Sequence, residues 1–454
     1  MIAPARLAAY DVLRAIGSGR ADLPAALARV RAGLHDERDR ALAGEIAAGT
    51  LRWQGAFDVV IAAFAGRPAA RLDPEVLDVL RMTAFQLLHL DRIPASAAVN
   101  DAVNLVRKAG KKSASGLVNA VLRRISRERS RLPLPARPAD PSVDRAGSMA
   151  YLSATLSHPE WLVSRWLDRY GFDATESWAQ FDNGPAALTL RVNTLRTSRE
   201  ALAKALESHG VETEPARFAP QGLVVRTGNP LLTPLAGEGL FLVQDESSQL
   251  VALLTAAAPG ERVLDACASP GGKTTAMAAA MENRGLIVAT DLRGRRVELL
   301  SRTVRTAGAT CVRIVQADAA GALPFTGRFD CVLLDAPCSG LGTLRRDPDI
   351  RWRRAEEALP GMVAAQLAML GRAAEVVEPG GRLIYATCSS EPDENEAVVA
   401  SFLDGRGDFT CAPPPLPAEL KRFITPDGHF RTFPFRDQLE PFFAAMLVKT
   451  KDLL

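Results

Sequence analysis

The chain has 454 residues, which is too long for a single ordinary hydrophobic core, so we expect two or three domains. Its 55 basic residues nearly balance its 52 acidic ones, so a polyanion would have to bind at a local basic patch. No charged leader followed by an apolar core opens the sequence, and no apolar run is long enough to cross a bilayer. We therefore expect a cytoplasmic protein without a membrane partner.

The first segment, up to about Arg131, is predicted to be helical throughout. Asp73 is placed to cap a helix that has Pro74 at its first position and that ends before Pro94, and a second helix carries an apolar stripe from Leu117 to Ile125. Between residues 107 and 137, ten basic residues face a single acidic one. A charge run is most often a solvated helix face, but this imbalance favours binding of a phosphate backbone.

Four prolines between Pro133 and Pro141 exclude a helix there and predict a semi-rigid linker at a domain boundary. Beyond it, residues 159–170 are typical of a helix, 187–192 of a strand and 199–209 of a helix. This segment is predicted to be a small α+β module that ends near Glu238.

From Leu240 onward, strands alternate with helices, which predicts a doubly wound sheet whose ligands bind at the carboxyl ends of the strands. A final strand over Phe442–Val448 could close the sheet. The short apolar runs suited to buried parallel strands are Arg262–Asp265, Leu286–Asp291, Val312–Gln316, Phe329–Asp335 and Gly381–Ala386.

The first of these strands runs into a glycine-containing turn, Asp265–Thr275, where the backbone and the start of a helix can approach a ligand closely. The end of this turn mimics a P-loop, but Cys267 stands where that motif needs glycine, and no dinucleotide fingerprint occurs. Asp291 ends the second strand, where it could accept hydrogen bonds from ribose, and Asp318 follows the third. Each aspartate alone is more often a turn residue, but together they favour a nucleoside ligand without a triphosphate.

Two cysteines follow strands in polar surroundings, Cys338 in Asp335–Gly340 and Cys388 in Thr387–Ser390. A cysteine within a strand is usually a small buried hydrophobe, which is our interpretation of Cys311 and Cys331. Beyond a strand a thiol can be exposed and activated, so Cys338 and Cys388 are candidates for covalent catalysis. The six cysteines contain no C-x-x-C pair and lie far in sequence from the histidines, which argues against zinc and against a disulfide framework.

An arginine-rich segment, Arg345–Arg354, follows the first of these thiols and includes Trp352. Its side chains could hold phosphates and stack bases, or simply pack a surface helix. Next to a thiol site we favour a contact with nucleic acid.

These motifs together resemble the bacterial Sun-type (RsmB) ribosomal RNA cytosine-C5 methyltransferases of the Nop2/Sun family. The matching segments of the catalytic half are Val243–Gln249, Asp265–Thr275, Asp335–Cys338, Asp349–Trp352 and Thr387–Ser389. The segments that resemble the NusB-like RNA-binding domain of that group are Glu37–Arg40, Val99–Val103 and Asn119–Arg124.

The resemblance implies a multidomain fold. We expect an all-α NusB-like domain over residues 1–131, a proline-rich linker over 132–145, a small α+β RNA-binding module over 146–238, and an α/β Rossmann-like S-adenosylmethionine-dependent methyltransferase domain over 239–454. The cofactor-binding residues that it implies are Cys267, Ala268, Ser269, Pro270, Gly271, Gly272, Lys273, Asp291, Arg296, Asp318 and Asp335.

The family chemistry explains why a thiol is needed. Cytosine C5 is too weak a nucleophile to take a methyl group directly, so a thiolate first adds to C6. Asp335 would bond to the ring nitrogen and stabilise the adduct. DNA cytosine-C5 methyltransferases use a Pro-Cys thiol, so the local context leaves the order of the two cysteines open; in the RNA family the later cysteine attacks, which corresponds to Cys388, and Cys338 assists product release.

The resemblance implies a metal-independent monomer acting on 16S rRNA, either naked or in an early assembly intermediate. One alternative is a related methyltransferase acting on transfer RNA or large-subunit RNA. The other is a non-catalytic RNA-binding factor, against which the joint presence of Asp335, Cys338 and Cys388 argues.

Overall fold

A computed structural model describes residues 2–451 of the chain. No helix in this range is both long enough and apolar enough to cross a membrane. The helices are α1 (Pro4–Gly17), α2 (Leu23–Arg31), α3 (Glu37–Arg52), α4 (Gln54–Ala65), α5 (Pro74–His89), α6 (Ala95–Lys108), α7 (Ser115–Arg127), α8 (Arg145–Ala150), α9 (Glu160–Asn183), α10 (Arg199–Glu207), α11 (Glu246–Leu254), α12 (Gly272–Ala280), α13 (Gly294–Ala307), α14 (Ile350–Arg353), α15 (Leu359–Glu375), α16 (Glu396–Asp404) and α17 (Pro434–Asp437).

The strands fall into two sheets, one of four strands and one of eight within the described residues. Their bounds are β1 (Thr189–Val192), β2 (Glu212–Pro215), β3 (Gly222–Thr227), β4 (Phe241–Val243), β5 (Arg262–Asp265), β6 (Leu286–Asp291), β7 (Val312–Gln316), β8 (Phe329–Asp335), β9 (Val377–Thr387), β10 (Phe409–Ala412), β11 (Phe430–Arg431) and β12 (Phe443–Lys449).

The chain divides into two compact units, and the first is helical. It comprises residues 1–185 together with 344–356. Apolar faces of α1 and α3 to α7 meet in one core, which contains Val12, Ile46, Leu80 and Leu122. The helix predicted after Asp73 begins at Pro74. Proline is tolerated at a first helical position because the amide hydrogen that it lacks would have no partner within the helix. The proline-rich segment after Arg131 is not helical, as predicted.

The segment Leu344–Glu356 belongs to this helical unit, and the predicted role of Arg351 in binding nucleic acid is wrong. Arg351 is 1% exposed and donates hydrogen bonds to the carbonyl oxygens of Arg52, Ser157 and Asp182 and to Asn183 Oδ1, at 2.8–3.0 Å. A guanidinium used in this way is not available to a phosphate. A basic run shows that arginines are present, but not which of them are buried.

The neighbouring Trp352 is also engaged within the helical unit. Its indole Nε1–H donates to the Leu51 carbonyl oxygen at 2.6 Å. A Cβ added at Gly55 would lie 3.0 Å from the tryptophan ring, so the glycine permits close packing. The segment around α14 therefore stabilises the helical unit.

The second unit, residues 186–343 and 357–454, contains both sheets. The strand order of the large sheet is β10-β12-β9-β8-β5-β6-β7, with β11 paired to β12. Strands β5 to β9 are parallel, whereas β12 runs antiparallel to β9, so the predicted closing strand is confirmed. Because the chain moves outward in opposite directions from β5 and β8, the crevice at their carboxyl ends is where a ligand of a doubly wound sheet binds.

Both faces of the large sheet are covered, which explains the continuous apolar runs of its central strands. One core contains Val263, Ile287 and Leu333, and the other contains Leu264, Val332 and Tyr385, with successive residues of a strand pointing to opposite faces. The sheet thus holds the ends of β5, β8 and β9 rigidly beside one another.

The small antiparallel sheet has the order β2-β3-β1-β4 and packs α10 against its own core. Arg191 of β1 is 4% exposed and donates from Nη2 to Thr275 Oγ1 in α12 at 2.6 Å. Asn193 donates from Nδ2 to the Ala307 carbonyl oxygen at the end of α13. These contacts fix the small sheet to helices that follow β5 and β6.

Candidate active site

The turn after β5 brings backbone close to the strand ends. Gly271 has φ of 104°, and a Cβ there would lie 2.9 Å from Leu300 Cδ1, so this position requires glycine. Helix α12 begins at the next residue, so its first backbone amides have no partner within the helix. The Ala268 amide donates to the Thr290 carbonyl oxygen, fixing the turn to β6.

Asp265, the last residue of β5, is a buried carboxylate that the sequence did not single out. Thr274 Oγ1 donates to its Oδ2 at 2.6 Å, whereas Oδ1 is buried with no hydrogen-bond partner among residues 2–451. Burial raises the pKa of Asp265 to about 7, against the opposing hydrogen bond from Thr274. An unsatisfied buried carboxylate oxygen at a strand end is suited to a ligand with a positive charge or a hydroxyl donor.

Three further residues were predicted to bind the cofactor, and two of them, Asp291 and Arg296, lie together beside this turn. Asp291, at the end of β6, is 6% exposed, and Arg296 Nε lies 3.6 Å from its Oδ2. Arg296 also donates from Nη2 to the Ser269 carbonyl oxygen at 3.3 Å. Asp318 follows β7, is exposed, and accepts a hydrogen bond from the Ala320 amide, which is the arrangement of an aspartate turn.

Cys267 lies in the same turn, and burial, the largest influence, strongly raises its pKa. Its thiol is therefore protonated near neutral pH, and the residue packs against the core on one face of the large sheet. Lys273 and Asp335 form a salt bridge, with Lys273 Nζ 2.7 Å from Asp335 Oδ2. Burial alone lowers the pKa of Lys273, but the charge of Asp335 and its hydrogen bond raise that pKa above the ordinary value.

The two predicted thiols meet at the ends of β8 and β9. Cys338 Sγ lies 3.4 Å from Cys388 Sγ, and both residues are partly exposed. The contact with Cys388 contributes most to a strong rise in the pKa of Cys338, followed by burial. Cys338 is therefore held in its protonated form near neutral pH.

A further carboxylate, Glu394, connects the two cysteine loops. It is fully buried, and its Oε2 accepts hydrogen bonds at 2.5 Å from the hydroxyl groups of Ser339 and Ser389, the residues that follow the two cysteines. Its Oε1 accepts from the Ser339 amide at 2.8 Å and from Gln366 Nε2 at 3.0 Å. One carboxylate thus fixes the separation of the two loops.

The loop after Cys338 also lies directly on the other cysteine. The Gly342 amide donates to the Cys388 carbonyl oxygen at 2.9 Å. A Cβ at Gly342 would lie 2.6 Å from that oxygen and 2.5 Å from the Pro441 carbonyl oxygen. No side chain fits at this position, so glycine is needed for the loops to approach.

Sequence reasoning missed Asp265, Glu394 and the serine pair. Glu394 sits in Glu391–Glu396, an acidic run that is typical of an exposed loop, so nothing in the pattern indicated its burial. The only available signal was its position six residues after Cys388. Within residues 2–451, no group of three or more His, Cys, Asp or Glu side chains is arranged to hold a metal ion.

Three family models match successive parts of the chain. The NusB family matches residues 3–127, a ferredoxin-like domain of the RsmF/B-like methyltransferases matches 158–231, and the 16S rRNA methyltransferase RsmB/F family matches 252–448. The predicted fold class, a NusB-like helical domain followed by a small α+β module and a methyltransferase domain, is confirmed.

Individual relatives agree with the family models over nearly the whole chain. A Bacillus subtilis protein named "Probable ribosomal RNA small subunit methyltransferase B" is 33% identical over 91% of both chains. The ribosomal RNA small subunit methyltransferase B of Pseudomonas putida is 36% identical over 88% of both. The crystal structure of PH0851 superimposes with a TM-score of 0.81 at 28% identity and covers 99% of each chain.

Proposed function

The chain belongs to the RsmB/Sun family of S-adenosylmethionine-dependent ribosomal RNA methyltransferases, and from this premise we propose that it methylates C5 of a cytosine in 16S rRNA through a covalent cysteine adduct. The observation that carries the proposal is the pair of thiols, 3.4 Å apart, at the strand ends that also present Asp335. A single thiol could be incidental, but two at this distance beside a charged pair match a reaction that needs both attack and release.

The residues present fit the cofactor. The unsatisfied Asp265 Oδ1 would accept from the cationic methionine end, and Asp291 would accept from the ribose hydroxyls. Asp318 is exposed after β7 and would reach the adenine. When bound, the cofactor supplies an electrophilic methyl group on a sulfonium.

The protein's own part of the reaction begins at Cys388. Its thiolate adds to cytosine C6, forming an S–C6 bond and moving the double-bond electrons toward N3, where a proton must arrive. We assign this proton to the Lys273–Asp335 pair, in which the Lys273 ammonium carries the proton and Asp335 Oδ2 lies 2.7 Å from its Nζ. Protonation at N3 makes C5 enamine-like and therefore nucleophilic toward the methyl group.

Release requires that C5 lose its proton and that the S–C6 bond break. Cys338 can give its proton to the departing Cys388 sulfur and, as a thiolate, take the proton from C5, because the two sulfurs are 3.4 Å apart. N3 returns its proton to the Lys273–Asp335 pair. The balance is one methyl group gained by the base and one proton released, with both cysteines restored.

The RNA partner and the domain boundaries are part of the same proposal. We assign the substrate to 16S rRNA rather than transfer RNA or large-subunit RNA because the NusB family match covers residues 3–127 in addition to the catalytic match. The target base must leave its stack to reach a thiol, which costs least in a looped or single-stranded region. We also propose the domain boundaries expected from the sequence, which lie at residues 131, 145 and 238.

The test is transfer of a labelled methyl group from the cofactor to 16S rRNA that lacks the modification, with transfer RNA and 23S rRNA in parallel reactions. We expect 5-methylcytosine in 16S rRNA alone and no transfer by Cys388→Ala. Cys411→Ala is a matched control, because this thiol lies in β10 and forms no part of the site. Transfer to another RNA, or full activity of Cys388→Ala, would overturn the assignment.

A further inference from the structure

A cavity in the second unit lies between the small sheet and helices α11 and α12. Its volume is about 160 Å³. At roughly 10–15 Å³ for each water, such a space holds about ten water molecules or one small organic molecule. Arg191 of β1, Gln249 of α11 and Ala276 of α12 contribute to its wall. Asp265 and Gly271 do not line it, so the cavity is separate from the site at the end of β5.

Arg191 is a buried cation without a counter-ion among residues 2–451. Its neighbours Leu190 and Val192 belong to the core of the small sheet, so the Arg191 side chain points to the opposite face. It is 4% exposed, donates from Nη2 to Thr275 Oγ1, and keeps its Nε buried without a partner. Burial lowers the pKa of Arg191 to about 10, and no described carboxylate opposes this effect. A cation that has lost its water without gaining an anion is unfavourable, and a bound anion would compensate it.

Two other buried arginines of the described chain have the partners that Arg191 lacks. Arg431 is equally buried, and it pairs with Glu396. Arg351 has no carboxylate partner, but it donates to four oxygen atoms at 2.8–3.0 Å. Arg191 differs from both, and it is also the one of the three that lines this cavity. The missing anion therefore has a place to bind.

A second unpaired polar atom belongs to the same wall. Gln249 is 4% exposed, and its Nε2 donates to the carbonyl oxygens of Gln244 at 3.0 Å and Leu190 at 3.4 Å. These two acceptors fix the orientation of the carboxamide, because an oxygen in place of Nε2 could not donate to them. Its Oε1 is then left buried without a donor within residues 2–451. The wall thus offers a cationic donor and a neutral acceptor, which suit a molecule that carries both a carboxylate and a hydroxyl group.

The rest of the wall is largely apolar. Ala276 and Ala279 line it along α12, and Leu253 of α11 is 37% exposed. No aspartate or glutamate occurs among the described lining residues. A phosphate in this cavity would leave oxygen atoms against alanine and leucine, whereas the two oxygens of a carboxylate can both face one guanidinium. The wall therefore favours a carboxylate on an apolar body over inorganic phosphate.

We propose that this cavity binds a small organic carboxylate, with Arg191 on the carboxylate, Gln249 accepting from a hydroxyl group, and the apolar body of the ligand against α12. The ligand supplies the counter-ion of Arg191 and the donor that Gln249 Oε1 lacks. This binding site is additional to methyl transfer and does not depend on the proposed function.

The test is isothermal titration calorimetry of the full-length protein with 2-hydroxy-4-methylpentanoate, which combines a carboxylate, a hydroxyl group and a branched apolar body. We expect binding with one-to-one stoichiometry. The analogue 4-methylpentanoate should bind roughly tenfold more weakly, because Gln249 Oε1 stays unpaired. The neutral 4-methylpentanamide should give no measurable binding. Saturation with S-adenosylmethionine should leave the affinity unchanged, since the two sites share no residue named for the cofactor.

Two variants locate the binding. Arg191→Met removes the charge at similar volume, and we expect at least roughly tenfold weaker binding. Since this variant also loses the hydrogen bond to Thr275, Ala276→Leu leaves Arg191 in place and fills the cavity from α12; it should abolish binding. The matched control is Ala201→Leu, which adds the same volume at an exposed residue of α10 outside the cavity and should bind like the natural protein.

The contradicting results are equally specific. Equal binding of inorganic phosphate, or of the amide, would overturn the assignment to a carboxylate. Unchanged affinity in Ala276→Leu would place the binding elsewhere, and displacement by S-adenosylmethionine would make the cavity part of the cofactor site. Absence of binding by both carboxylates would overturn the cavity as a ligand site. Because the measurement is binding without RNA, a failure of methyl transfer would refute only the proposed function.

Discussion

Cys338 Sγ lies 3.4 Å from Cys388 Sγ, although 50 residues separate the two cysteines in the chain. Glu394 holds the loops that carry them, through Ser339 and Ser389. A carboxylate that accepts four hydrogen bonds cannot be replaced by an amide without turning one acceptor into a donor. The separation of the thiols therefore depends on this buried side chain.

We expect Glu394→Gln to lower kcat for methyl transfer by about 100-fold, because displacing a reacting group by an ångström can cost that much. The cofactor Kd should be unchanged, since Glu394 does not touch the glycine turn. Asp393→Asn removes a neighbouring carboxylate and serves as the control. An equal loss of cofactor affinity in Glu394→Gln would show general unfolding of the site and contradict a positioning role.

The proximity of the thiols also predicts sensitivity to oxidation. A disulfide needs an S–S distance of about 2.0 Å, so a small movement of either loop suffices. Diamide would accept the two protons and two electrons that the thiols lose on forming the bond. We expect inactivation by diamide that dithiothreitol reverses, with a Cys338–Cys388 cross-linked peptide in the mass spectrum. Cys411→Ser should behave like the natural protein, and irreversible inactivation without that peptide would contradict the prediction.

Cofactor binding should depend on pH through Asp265. Burial raises its pKa to about 7, so without ligand the carboxyl is increasingly protonated below that pH. A cationic ligand favours the ionised form, so binding must release a proton at lower pH, and affinity should fall by up to about tenfold per pH unit below 7. Calorimetry between pH 5.5 and 8 in buffers of different ionisation enthalpy measures both effects. Asp265→Asn should remove the pH dependence; an unchanged profile in that variant would exclude Asp265 as its cause.

Arg351 should matter for folding of the helical unit. Burial lowers the pKa of Arg351 to about 9, and its loss would leave several buried carbonyl oxygens without a donor. We expect Arg351→Met to lower the free energy of unfolding by about 3 kcal/mol, measured by thermal and urea unfolding. Arg353→Ala, which removes a partly exposed guanidinium from its pair with the buried Asp349, should cost less, because Asp349 keeps the hydrogen bond from the Leu23 amide. Reduced RNA affinity in Arg351→Met with unchanged stability would restore the nucleic-acid interpretation.

The sequence predicted the elements that depend on local pattern. Buried parallel strands are continuous apolar runs, so the strands ending at Asp265, Asp291 and Asp335 could be identified, and topology then requires their carboxyl ends to lie along one edge. The resemblance added the cofactor and the substrate class. The short strands β10 and β11 were not predicted, because a few residues at a sheet edge leave no periodic signal.

Contacts between residues that are distant in the sequence could not be predicted from local sequence patterns. Arg351 and Trp352 stand in a basic run typical of a surface, yet they pack into the helical unit, because partner carbonyl groups far away in sequence compensate the buried charge. Glu394 was hidden for the same reason, since only the folded loops provide the serine hydroxyls that make its burial tolerable. A run of charged residues shows which side chains are present, whereas the contacts formed in the folded protein determine which of them are buried.

The most direct test of the central claim is to identify the cysteine that bonds to the base. In RNA that contains 5-fluorocytosine at the target, C5 carries fluorine instead of a removable proton, so the adduct should persist after methyl transfer. Digestion and mass spectrometry should then give a methylated nucleotide attached to the peptide that contains Cys388. An adduct on Cys338, or methyl transfer with no adduct on either cysteine, would contradict the account.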